Sequence, residues 1–176
     1  MLTYVYVDGT GLYLSALKGT PYKWLDIKAL CERLLPHNNI VQIRYFAERL
    51  PVPDAAQRQE TYLRALASFE EISVHVVKRR RLQAEMAAFL VVDAPVHHYE
   101  CAVLVTNDAE FAVPIELVRS ELRRPVGVIS PAPHFSRPLY DAATFPRKIR
   151  KGVLAASQLA DPMIVGDHEI HKPPEW

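Results

Sequence analysis

Val103-Leu104-Val105-Thr106-Asn107-Asp108-Ala109-Glu110-Phe111 is an apolar, β-branched run that stops abruptly in two carboxylates spaced i, i+2, where a helix-like segment begins. Such a run reads as a buried strand, and ligands of open α/β sheets bind beyond the carboxyl ends of the strands. Asp108 and Glu110 are therefore expected at the rim of a cleft. The same pattern opens the chain, where Leu2-Thr3-Tyr4-Val5-Tyr6-Val7 runs into Asp8-Gly9-Thr10-Gly11 ahead of the apolar-periodic Leu12–Leu17. Carboxylates gathered at one rim repel unless a proton or a cation is shared among them, and hard cations such as Mg²⁺ prefer oxygen ligands. Asp8, Asp108 and Glu110 are thus candidate metal ligands. Capping competes with this explanation, because Asp, Asn and Thr just after a strand are ordinary helix N-caps and turn formers. A cap, however, needs one acid and not an i, i+2 pair.

Cations are clustered although the net charge is only +1. Lys78-Arg79-Arg80-Arg81 is a tetrabasic run, Arg123-Arg124 ends a helix, and Arg147-Lys148-Ile149-Arg150-Lys151 forms a third group. Clusters of this kind are either solvated faces or contacts to a phosphate backbone. His97-His98, His168 and His171 lack a Cys or acid at zinc-ligand spacing and read as exposed turn histidines.

The elements that must position these groups alternate along the chain. Strand-like runs at Leu2–Val7, Ile40–Phe46, Ile72–Val77, Cys101–Thr106 and Val126–Ile129 are separated by helix-like segments, which predicts an α/β fold with a mainly parallel sheet of about five strands covered on both faces. One helix runs from Leu25 to Leu35 and stops at Pro36. The next opens at Pro53-Asp54 and carries Arg58 on its polar side. A third runs from about Gln83 to Ala94 and is apolar on nearly every side after Glu85. A fourth runs from about Val113 to Leu122, and Ser136 reads as the N-cap of a short helix. One domain over 1–152 and an irregular tail over 153–176, packed on the domain, account for the chain. Tail residues Met163, Ile164, Val165 and Trp176 either pack there or pair two copies into a homodimer.

The 176 residues suit one domain, and an apolar share of 49% is that of a globular protein. No run approaches the roughly 18 apolar residues that span a bilayer, and Met1 leads straight into the first strand, so a cytoplasmic protein with no membrane partner is expected. Cys31 and Cys101 have no metal spacing and read as reduced and buried.

Several motifs together resemble the NYN domains, a branch of the PIN-like nucleases, in the bacterial group with single-domain members. They are Val7-Asp8-Gly9-x-Gly11-Leu12-Tyr13, Leu17-Lys18-Gly19-Thr20-Pro21-Tyr22-Lys23-Trp24-Leu25-Asp26, Arg44-Tyr45-Phe46, Arg58-Gln59-x-x-Tyr62-Leu63-Arg64, Thr106-Asn107-Asp108-x-x-Phe111 and the closing Ile170-x-Lys172-Pro173-x-x-Trp176. The resemblance implies a three-layer α/β/α (PIN-like) fold whose acids bind Mg²⁺ or Mn²⁺ and cleave RNA. Asp8 matches the first acid, Asp108 the acid after the fourth strand, and Glu110 stands where a second Asp is usual. Departures are equally specific. Gly11 replaces an Asn, Gln83 falls where an Asp is common at the start of the third helix, and Thr144 replaces an Asp. Glu85 is the nearest acid able to replace the one missing at Gln83.

Two functions are consistent with this pattern. The first is a metal-dependent ribonuclease acting on single-stranded RNA with a weakened acid set: Asp8, Asp108 and Glu110 as ligands, Glu85 as auxiliary acid, and Thr106 or Asn107 positioning water or phosphate. Lys78, Arg79, Arg80 and Arg81 would hold the backbone, with Arg58 and Ser136 as further substrate contacts. The alternative is a degenerate NYN domain that binds RNA or a protein partner without cutting. The orientation of Glu85 separates them: toward Asp8 and Asp108 for cleavage, away from them for binding alone.

Overall fold

In the computed structural model, which describes the chain except Arg79, His98, Glu175 and the side chain of His97, the N-terminal run forms β1 (Leu2–Asp8) at the middle of a six-stranded sheet. Around it lie β2 (Asn39–Glu48), β3 (Ile72–Val77), β4 (Cys101–Val105), β5 (Val126–Ser130) and β6 (Phe145–Lys148). Their spatial order is β3-β2-β1-β4-β5-β6, and every pair is parallel. Because β2 and β3 build outward on one side of β1 and β4 to β6 on the other, the chain reverses direction across the sheet between β1 and β4. That reversal leaves a crevice above their carboxyl ends.

Strand side chains alternate between two cores. Val5, Val7, Ile43, Tyr45, Val103 and Val105 face α1 (Gly9–Leu12), a π-helical continuation Tyr13–Leu17, α2 (Ile27–Leu34), α3 (Pro53–Leu66) and α7 (Lys151–Ala156). Tyr6, Phe46, Leu104 and Val128 face α4 (Leu82–His97), α5 (Ala112–Ser120) and α6 (Arg137–Ala142). With helices on both faces the central strands must be apolar throughout, and all five residues of β4 and of β5 are buried. The three-layer α/β/α architecture expected from the sequence is the one observed.

Three details depart from expectation. The sheet has a sixth strand, because Phe145-Pro146-Arg147-Lys148 sits at the edge, where a proline and two cations are tolerated. The tail, expected to be irregular, begins with the end of α7 and contains the hairpin β7 (Met163–Val165) and β8 (His168–Ile170), turning at Gly166 with φ +58°. Of its apolar residues, Met163, Val165 and Trp176 pack against the first core while Ile164 stays exposed. Finally, β2 runs two residues past Phe46 and ends at Glu48, which places another acid beside β1. Cys31 and Cys101 are buried and free, their thiols pushed up to about 12 and about 11 by desolvation.

Candidate functional site

The crevice above β1 and β4 is a polar cleft of about 330 Å³ lined by Asp8, Thr10, Ser15, Glu48, Gln83, Asn107 and Asp108, among others. Each acid arrives from a different element: Asp8 from the end of β1, Glu48 from the end of β2, and Asp108 from the turn after β4. Register brings them together, since Val7 pairs with Val105 and Asp8 with Phe46. Burial in this position pushes the Asp8 carboxyl above the usual aspartate range. The nearby charges of Asp108 and Glu48 push the same way, while hydrogen bonds from Gly11 and Thr106 partly offset the rise.

The carboxylates are tied to protein donors. Asp8 Oδ1 accepts from the Gly11 amide at 2.7 Å and so caps α1, while Oδ2 accepts from the Thr106 hydroxyl at 3.2 Å. Asp108 Oδ1 accepts from the Glu110 amide at 3.0 Å, capping the 3-10 turn Ala109–Phe111, and its Oδ2 accepts from the Gln83 side-chain amide at 3.0 Å. Glu48 Oε1 accepts from the Arg80 amide at 2.7 Å. Capping and cleft lining, alternatives in the sequence, are here the same side chains.

Gly11 makes this arrangement sterically possible. A Cβ at that position would meet Asp8 Oδ2 at 2.3 Å, so the Asp8 carboxylate occupies the space into which any other residue's side chain would project.

Glu110 and Glu85 are not brought into the cleft. Glu110 is exposed on the turn that Asp108 caps, because two residues along a helical turn lie on roughly opposite sides. The same geometry applies on α4: Gln83 turns to Asp108, so Glu85 turns away, and its charge is felt instead by His75 on β3. Thr106 is buried and joins the two acid-bearing segments, donating to Asp8 and accepting from the Asp108 amide at 3.2 Å. Asn107 is a latch. Its Oδ1 accepts from the Ser130 hydroxyl and the Ser136 amide, both at 2.8 Å, and its Nδ2 donates to the His134 carbonyl at 3.0 Å. Ser136 is the N-cap residue of α6 but makes no capping bond with its side chain.

The basic run lies at the rim of the cleft. Lys78, Arg80 and Arg81 are exposed, the turn is closed by the Arg81 amide on the Lys78 carbonyl, and Arg80 has φ +64°. Arg79 lies outside the described residues, as do His98 and the side chain of His97. Arg58 belongs to an adjoining cavity of about 200 Å³ that shares Thr10, Leu14 and Glu48 with the cleft and is lined by Tyr13, Tyr45, Tyr62, Trp176 and Lys23.

Glu48 is the site residue that sequence reasoning missed. With the second strand ended at Phe46, Glu48 fell into a loop. The available signal was the apolar stretch Tyr45-Phe46-Ala47 running directly into an acid, as β1 and β4 run into theirs.

The donor set does not fit a metal centre as it stands. Among the described residues no group of three or more His, Cys, Asp or Glu side chains is placed to hold one ion. The acids converge, but each bound oxygen faces an N–H or O–H, and Gln83 presents a donor to Asp108 where a ligand set would present another oxygen.

Comparison with known proteins places the chain. The NYN domain family model matches residues 2–148, and the chain belongs to that family. It is therefore related to nuclease-type domains that act on RNA. The chain is 26% identical to 6-hydroxy-3-succinoylpyridine 3-monooxygenase of Pseudomonas putida, over 99% of this chain and 75% of that protein. A crystal structure of a protein of unknown function from Vibrio parahaemolyticus superposes with a TM-score of 0.65 at 18% identity, covering 85% of this chain and 93% of the other, which is a likeness of fold.

Proposed function

We propose that this protein is an NYN domain that holds single-stranded RNA at the carboxyl rim of its sheet and, with its present acids, does not hydrolyse it through bound Mg²⁺ or Mn²⁺. The observation that carries this reading is the Gln83 amide donating into Asp108 while Asp8 folds back onto Gly11. Metal-assisted hydrolysis needs anionic oxygens free to hold the cation and charge stabilisation at the leaving oxygen. Here both oxygens of Asp8, both of Asp108 and Oε1 of Glu48 already accept from the protein itself. Glu85, the acid expected to replace the one missing at Gln83, turns away from the cleft. What remains is a polar rim with donors suited to phosphate: the second hydrogen of the Gln83 amide, the Ser15 hydroxyl, and the cations of the β3–α4 turn.

The test uses purified protein and a labelled single-stranded RNA with Mn²⁺, Mg²⁺ or chelator. The expected result is RNA shifted on a gel and uncut in all three. Gly11→Asn would displace the Asp8 carboxylate toward the cleft, and Gln83→Asp would supply the missing oxygens. The double variant is expected to take up Mn²⁺ by calorimetry and to gain metal-dependent cutting. Metal-dependent cutting by the unmodified protein, lost in both Asp8→Asn and Asp108→Asn, would overturn binding alone in favour of a ribonuclease built on Asp8, Asp108 and Glu48.

A second reading rests on the adjoining cavity. Tyr13, Tyr45, Tyr62 and Trp176 form aromatic walls, and Lys23 and Arg58 add positive charge, a combination suited to an aromatic ring bearing an acid. The Pseudomonas relative acts, by its name, on a hydroxypyridine carrying a succinoyl chain. Binding of a hydroxypyridine carboxylate should raise the melting temperature of the protein and should be lost in Trp176→Ala. An unchanged melting temperature would dismiss this ligand class.

A further inference from the structure

The third basic group of the sequence, Arg147 to Lys151, has no part in the cleft. It lies at the β6–α7 junction, on the side of the cleft away from the β3–α4 turn in the strand order. There it borders a groove of about 960 Å³, whose walls come from the π-helical segment after α1, the β5–α6 loop and the start of α7. Arg147, Lys148, Arg150 and Lys151 carry the charge, Tyr22 and Ile149 form part of an apolar floor, and among the described residues no acid lines it. Two of the cations build the wall: the Arg147 guanidinium donates to the Leu34 carbonyl at 2.6 Å and Lys148 Nζ to the Pro133 carbonyl at 2.7 Å. Arg150 and Lys151 are exposed, and among the described residues neither side chain has a partner.

Cleft and groove are neighbours along the chain. Ser15 lines the first and Ala16 lines the second.

We propose that this groove is a second binding segment for single-stranded RNA: a strand crossing the acidic cleft continues past Ser15 and Ala16, lays its phosphates on Arg150 and Lys151, and places a base against Tyr22. This rests on the RNA reading given above. Three carboxylates in the cleft repel a phosphate backbone, so affinity must come from cations beside it, and the structure sets a cationic bank on each side. The apolar floor decides the strandedness. Unpaired bases have free faces to stack on an aromatic ring, whereas a duplex buries those faces and presents only its backbone and groove edges.

The test is fluorescence anisotropy of a labelled oligouridylate across a salt series. Arg150→Gln with Lys151→Gln should weaken binding at least tenfold and lower the slope of log affinity against log salt by about 1.4, the contribution of two single-strand phosphate contacts. Tyr22→Ala should weaken binding about fivefold or more with the slope unchanged, since stacking releases no counterions. Melting temperatures equal to that of the unmodified protein exclude misfolding as the cause. A double variant with unchanged affinity and slope, in a protein that still binds RNA, would overturn the groove and leave the RNA reading standing. Equal affinity for a duplex would overturn the single-stranded path. Failure of the unmodified protein to bind RNA at any salt would overturn both proposals.

Discussion

Asp8 caps α1 and lines the cleft at once, and its burial records the cost. It is 5% exposed, and burial holds its carboxyl toward the neutral form, with Asp108 and Glu48 reinforcing that preference. A carboxyl whose pKa is higher folded than unfolded contributes stability that is fully present below the unfolded value and lost as pH rises through the folded one. The ionised side chain at neutral pH therefore destabilises the fold. Asp8→Asn keeps an oxygen for the Gly11 amide, and its amide can donate to the Thr106 hydroxyl. The variant is expected to melt at a higher temperature than the unmodified protein at pH 8, with the difference closing as pH falls below the ordinary aspartate range. Parallel melting curves across the whole pH series would refute this account. The arrangement is typical of functional sites, where stability is given up to hold a group in place.

On the scale of elements, α4 shows what periodicity hides. The segment reads as apolar on nearly every side after Glu85, yet it carries an acid, Asp93. In the fold Asp93 is 2% exposed beneath the sheet. Arg44 of β2 donates to both of its oxygens, at 2.6 and 2.9 Å, and the Tyr6 hydroxyl of β1 adds a third bond at 2.9 Å. The guanidinium also lies over the Phe89 ring, 4.5 Å from its centroid. Burial in this cluster and the adjacent negative charges push the Tyr6 hydroxyl well above its ordinary range. Removing one partner strands the other in a low dielectric, so Asp93→Ala should cost about 3–5 kcal/mol in urea unfolding. Replacing the set with apolar residues (Arg44→Met, Asp93→Leu, Tyr6→Phe) should recover most of that. A loss from Asp93→Ala no larger than that of an exposed ion pair, about 1 kcal/mol or less, would show that the cluster is not acting as a buried pair.

Across the whole molecule, a net charge of +1 conceals separation. Acids collect at the centre of the carboxyl rim and cations at its two flanks, at the β3–α4 turn and the β6–α7 junction. Strand order makes this possible, because the flanks belong to outer strands on opposite sides of β1. The salt dependence of RNA binding is accordingly a property of the assembled rim: neutralising either flank should lower the slope, whereas neutralising Arg124, which precedes β5 at the opposite, amino end of the sheet, should leave it unchanged.

Legible from the chain alone were the α/β alternation, five of the six sheet strands, the family resemblance, and the two strand-end acids Asp8 and Asp108. The strands and acids follow from apolar period and from the abrupt ends of buried strands, both local properties, and the family from the resemblance of its motifs, which the family model over residues 2–148 bears out. Which acids meet is set by strand register and helix rotation. Glu48 entered because β2 overshoots β1 by two residues, and Glu110 and Glu85 left because two residues along a helical turn reverse the face. Gly11 and Gln83, legible as departures from the family pattern, acquired their meaning from geometry: one gives Asp8 room to fold back, and the other fills the place of an acid with an N–H. Spacing along the chain fixes neither register nor rotation, and the chemistry of this rim depends on both.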